Sequence, residues 1–141
     1  FLVIFFIIFF IFQNIKIFPY NYLWLNNLTN LMDINKKFEL DYWGVSTKNI
    51  TKILDEKNSE LNLCIISNRN NGIKNFSKNK DLCIKPFNEL HSNQNRPFYV
   101  ALLERALKKG TPNNCTIVHQ EKVRINFSRE DIILAKIFKC D

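Results

Sequence analysis

The sequence predicts an α/β fold, with α+β left open. A truncated transmembrane helix comes first. A small mixed-sheet domain follows and closes with a C-terminal β hairpin. Three observations carry this reading. Residues 1–12 (FLVIFFIIFFIF) hold no polar side chain. Ile50, Ile53 and Leu54 recur at helical spacing just ahead of apolar, strand-like runs. Two β-rich runs, 116–123 and 131–138, flank a polar turn near the end of the chain.

The chain has 141 residues, 46% of them hydrophobic, enough for one domain with a real core. With 23% charged residues it does not have the composition of a disordered chain. The apolar mass is uneven, because seven of the 13 Phe fall within residues 1–18. The chain divides into three segments: residues 1–18 as the end of a transmembrane helix, 19–37 as an aromatic interfacial linker, and 38–141 as a small extracytoplasmic α/β domain.

Twelve helical residues span about 18 Å, against about 30 Å of hydrocarbon. The missing length is expected upstream of Phe1, so the chain reads as a piece of a longer protein. Gln13, Asn14 and Lys16 suit the interface, where a Lys can snorkel. A signal peptide is the rival, but no basic residue precedes the run and no small-residue cleavage pattern follows it. Tyr20, Tyr22 and Trp24 then form a belt of the kind found at membrane surfaces. Between residues 13 and 33 the only charges are Lys16 and Asp33, a sparse flank that favours the extracytoplasmic side.

Ser46 or Thr47 is expected to cap a helix running to Lys57. Leu61–Ser67 reads as a buried strand, 68–80 as a polar loop or short helix, and 82–84 as a short strand. Residues 86–96 connect to a strand over 97–103, and Gly110 ends the segment after that strand. Centring the last turn between Phe127 and Ser128 sets Val118 against Ile137, Ile117 against Phe138 and Val123 against Ile132. Cys115 then falls opposite Cys140, which predicts a disulfide in an oxidising compartment and two free thiols otherwise. Cys64 and Cys83 read as buried small hydrophobes.

The net charge of +7 admits nucleic acid or anionic lipid as a partner. The composition argues against nucleic acid. Asn occurs 20 times, Ile 18 and Lys 15, with only three Ala, so the basic balance follows a general residue bias. No run of five like charges forms a basic arm. The five N-x-[ST] sequons are what 20 Asn produce by chance.

No catalytic, cofactor or metal residue is expected. The cysteines form no C-x-x-C, and His91 and His119 lack zinc-finger spacing to them. Three glycines cannot build a phosphate-binding loop, and no G-x-S-x-G or H-E-x-x-H occurs. Glu39 and Asp41 would share a strand face, as general acid–base work requires, but read better as a hydrogen-bonded pair beside Trp43.

The two aromatic segments carry a family resemblance. Phe18-Pro19-Tyr20-Asn21-Tyr22-Leu23-Trp24-Leu25-Asn26 and Phe38-Glu39-Leu40-Asp41-Tyr42-Trp43-Gly44-Val45-Ser46 resemble the C-terminal end of bacterial polytopic membrane glycosyltransferases. These are relatives of the dolichyl-phosphate-mannose protein mannosyltransferases, with the GT-C membrane fold. Phe18 stands where that family often has His, and Trp24-Leu25 where it has Tyr-Phe. The match covers residues 1–57, and the tail fits loosely. The resemblance marks Pro19, Tyr20, Tyr22, Asn26, Asp41, Tyr42, Trp43, Gly44 and Ser46 as a structural motif.

That resemblance implies a transferase of a polyprenyl-phosphate-linked sugar, working on the periplasmic side of the bacterial inner membrane. Its partners would be the lipid bilayer, an upstream transmembrane domain and the lipid-linked sugar. The family's essential acid lies in a first extracytoplasmic loop that these residues do not contain. Gly44 is expected to permit a tight turn, and Trp43 to anchor the domain. The alternative is a stand-alone, single-pass, membrane-anchored binding module without activity; a nucleic-acid-binding domain ranks below both.

Overall fold

The computed structural model describes residues 1–18, 44–92, 97–124 and 131–141. Pro19, Tyr20, Tyr22, Asn26, Asp41, Tyr42 and Trp43 lie outside these residues, as do Glu39 and the centre of the hairpin turn.

The apolar run forms helix α1, Leu2–Ile17. Its 16 residues span about 24 Å. Every side chain from Phe1 to Phe12 is at least 45% exposed. The helix ends at Phe18, whose ψ of 135° has left the α region. The following proline disfavours helical geometry at that residue. Among the described residues no helix is long and apolar enough to cross a membrane.

Gly44 enters the domain at φ 64°, and its carbonyl accepts from Thr47 N–H at 3.0 Å. Helix α2 then spans Ser46–Asn58. The expected cap is corrected here. Val45 holds the cap position and neither hydroxyl caps the helix. Ser46 and Thr47 lie inside the helix, buried, where they serve packing. Ile50 and Leu54 are fully buried, and Ile53 packs at the margin of the same cluster.

The Asn58 side chain closes the loop after α2. It accepts from Leu63 N–H at 2.7 Å and donates to Leu63 C=O at 2.8 Å. Strand β1 is Cys64–Ser67, shorter than the expected 61–67. Leu61 is exposed, and Asn62 adopts φ 46°, which no strand continues through. Helix α3 (Asn70–Phe76) follows, then strand β2 (Ile84–Pro86), two residues later than expected. Gly72 lets α3 approach α2 closely, since a Cβ there would meet Thr47 Cγ2 at 3.0 Å.

A 3-10 helix, Phe87–Ser92, leads towards strand β3, Phe98–Leu103, and a second 3-10 helix covers Glu104–Lys109. The hairpin strands are β4 (Cys115–Val123) and β5 (Ile132–Cys140). The five strands form one mixed sheet ordered β2-β1-β3-β5-β4. β1 runs parallel to β2 and β3, while β5 runs antiparallel to β3 and β4.

The sheet is covered on both faces. α2 and α3 pack Ile50, Leu54 and Ile73 against Ile65, Tyr99, Ala101 and Ile137. On the other face, Phe87 and Leu90 of the first 3-10 helix, with Ala106 and Leu107 of the second, pack on Ile66, Val100, Leu102 and Phe138. Successive side chains of β3 point to opposite faces and serve these two cores in turn, so the strand is buried on both sides.

The hairpin register holds for three of the four pairs named above: Cys115↔Cys140, Ile117↔Phe138 and Val123↔Ile132. Between them it is corrected, because His119, not Val118, faces Ile137. Val118 is an extra residue in β4 and turns onto the α2 side of the sheet. A second irregularity between Glu121 and Lys122 leaves Leu134 extra on β5, so the register recovers.

Candidate functional site

The cysteines organise one end of the sheet. Cys64 faces Phe98, Phe98 faces Cys140, and Cys140 faces Cys115. Cys83 stands one residue before the Ile84↔Ile65 pair, beside Cys64. Five side chains therefore cross all five strands in one row on one face, with Phe98 at its middle. Two disulfides close the row, Cys64–Cys83 with Cα atoms 4.6 Å apart and Cys115–Cys140 with Cα atoms 4.1 Å apart. The reading of Cys64 and Cys83 as unpaired hydrophobes is thus corrected. The sequence does hold a signal, since Cys64-Ile65-Ile66 and Cys83-Ile84-Lys85 repeat one local pattern. A parallel crossover sets equivalent positions side by side.

A cleft of about 470 Å³ opens over the β4–β5 part of this row. Its floor is apolar: Leu90, the Phe98 side chain and the Cys115–Cys140 bridge. Its rim is polar, formed by Thr111, Asn113, Asn114 and Asp141, with Pro112 between. The volume falls within the roughly 300–1,000 Å³ of small-molecule sites, and an apolar floor with a few polar groups is their usual character.

The rim has a fixed shape. Gly110 sits at φ 85°, ψ −174°, a conformation essentially confined to glycine. Asn114 sits at φ 56°, in the left-handed region that Asn tolerates. Cys115 Sγ then lies 3.2 Å from Asn113 O, a contact and not a donated hydrogen bond, since a disulfide sulfur has no proton. The segment 110–114 is thus held at both ends and stiffened by proline. From sequence Gly110 reads only as the end of the segment after β3, which hides the wall that 110–114 build.

The cleft's lining carries few acid–base groups among the described residues. Its one carboxylate among the described residues, Asp141, lies 3.9 Å from Lys139 Nζ, and both are solvent-accessible. No group of three metal-ligating side chains occurs among the described residues.

The topology offers a second place for a ligand. The connections from β1 to β2 and from β2 to β3 pass on opposite faces, which creates a crevice at the carboxyl ends of β1 and β3. Here it is filled. Asn68 accepts from Leu103 N–H at 3.0 Å and donates to Leu103 C=O at 2.9 Å, so its amide extends the ladder by one rung. Ser67 Oγ donates to Ala101 C=O at 2.9 Å beside it.

His119, the half-buried strand histidine, faces Glu121 on the α2 side. Its Nε2 is 3.5 Å from Glu121 Oε2, within ion-pair reach but without hydrogen-bond alignment. Asn49 of α2 donates to Glu121 Oε1 at 3.1 Å. Among the described residues His119 Nε2 has no hydrogen-bond partner, and the Asn49–Glu121 bond ties α2 to β4. Of the aromatic motif, Gly44 and Ser46 are described: Gly44 at the positive-φ entry to α2, Ser46 fully buried in its first turn.

No family model matches the chain, and neither curated proteins nor solved structures give a match.

Proposed function

We propose that this chain is the C-terminal extracytoplasmic accessory domain of a membrane glycosyltransferase that uses a polyprenyl-phosphate-linked sugar donor. In this reading α1 is the end of a bilayer-crossing helix, and the catalytic loop lies in another part of the protein. The sheet domain stands on the periplasmic side of a bacterial inner membrane.

The observation that carries the proposal is α1 itself. A helix apolar on every side, with residues 1–12 all exposed, is stable in hydrocarbon and not in water. At about 24 Å it supplies most of the roughly 30 Å required. The two disulfides support an oxidising compartment for the domain. The sequence resemblance through Asp41-Tyr42-Trp43-Gly44 supports the family.

The coding sequence upstream of Phe1 tests it. A succession of further apolar helices is expected. A reading frame that opens just before Phe1 would overturn it. The second reading is the single-pass binding module, favoured by the binding character of the cleft. A single upstream extension of α1, with no other spans, would select it.

A further inference from the structure

We propose that the cleft over the Cys115–Cys140 bridge binds a neutral pyranoside. The inference stands on the cleft's own geometry and holds whether or not α1 lies in a membrane. Three features select this ligand class.

The first is the floor. Phe98 sits mid-row, half-buried, with its side chain lining the cleft and its underside on the second core. A pyranose ring has an apolar C–H face that packs on such a surface, while its hydroxyls point outward. The second is the rim. Asn113 and Asn114 each bring an amide with two donors and an acceptor, and Thr111 brings a hydroxyl. These match hydroxyl groups, which both donate and accept. No basic side chain lines the cleft among the described residues, and Asp141 adds a carboxylate. A phosphate or carboxylate ligand would therefore meet the Asp141 carboxylate, and Lys139 Nζ, 3.9 Å from that carboxylate, is already paired with it. The third is rigidity. Gly110, Pro112, Asn114 and the bridge fix the rim before any ligand arrives, which lowers the ordering cost of binding.

Saturation-transfer difference NMR tests the proposal on the full chain, held in dodecylphosphocholine micelles so that no detergent sugar competes. The probes are methyl β-D-glucopyranoside, methyl α-D-mannopyranoside and, as the anion, inorganic phosphate followed by ³¹P line width. At least one pyranoside is expected to receive saturation, strongest on the ring C–H protons of one face. Phosphate is expected not to broaden beyond its behaviour in empty micelles. Asn113→Ala changes an exposed side chain and should weaken pyranoside binding about 5-fold, the scale of one lost hydrogen bond. Phe98→Leu keeps an apolar floor and removes the ring, and should abolish the effect. Thermal melts confirm that each variant is folded, and Asn113→Ala decides alone if Phe98→Leu is not. Absence of saturation on both pyranosides overturns the proposal. So does binding unchanged in folded Asn113→Ala, or phosphate binding without pyranoside binding.

Discussion

α1 and α2 have similar lengths, 16 and 13 residues, and opposite relations to water. α1 is apolar on all sides up to Phe12 and leaves every side chain of residues 1–12 exposed. α2 is polar over most of its surface and buries one stripe, Thr47, Ile50, Thr51, Leu54 and Asn58. The less apolar helix does more for the domain, because stability follows the apolar area removed from water, not the apolar area present. α1 leaves its apolar surface uncovered by the domain.

The same kind of truncation in each helix gives the sharpest contrast. Leu54→Ala should cost about 2–5 kcal/mol in urea unfolding, because it empties a fully buried site against the sheet. Ile7→Ala should move the same curve by no more than about 0.5 kcal/mol. A comparable loss from both would show that α1 packs as a core helix.

Replacing Cys115 and Cys140 together by Ser should cost about 2–4 kcal/mol, read as a lower thermal midpoint under non-reducing conditions. An unchanged midpoint would mean that burial alone holds the edge strand. Gly110→Ala should cost about 1–3 kcal/mol although nothing lies within 4 Å of the new methyl, since the backbone conformation resists it. Wild-type stability there would show that the rim adapts, and would weaken the case for a preformed cleft. The smallest folding effect is expected from Ile7→Asp, again within about 0.5 kcal/mol. Its consequence should appear in fractionation of residues 1–141 expressed alone, where the variant leaves the membrane pellet. Continued membrane retention would point to an attachment outside α1.

The hairpin shows how much of the fold is legible in the sequence. Alternation in 116–123 and 131–138 places both strands and sets Cys115 against Cys140, because side-chain period and register are local properties. The excursion at Val118 and its recovery at Leu134 escape such a reading, since a paired bulge leaves both ends of a hairpin in register. The β1–β2 pairing cannot be inferred from alternation, because parallel neighbours are set by a crossover and not by a turn. The bridge between Cys64 and Cys83 depends on that pairing and shows in the sequence only as the repeated Cys-Ile step. Ser46 and Thr47 mislead for a related reason: capping chemistry is present, but close packing beside Gly72 claims that turn. The cleft is the least legible part. Leu90, Asn113 and Asp141 converge only through tertiary structure.

The cysteine row also determines how the chain is covalently connected. The two closed loops, 64–83 and 115–140, come one after the other and do not interlace. A single protease cut inside either loop leaves one oxidised molecule, whereas a cut between residues 84 and 114 gives two separable fragments. One fragment would hold β1 and β2, and the other β4 and β5. β3, the central strand, carries no cysteine, so apart from the backbone it joins these modules by hydrogen bonds and packing. The sheet is thus two disulfide-closed modules with a seam through its middle that neither disulfide crosses.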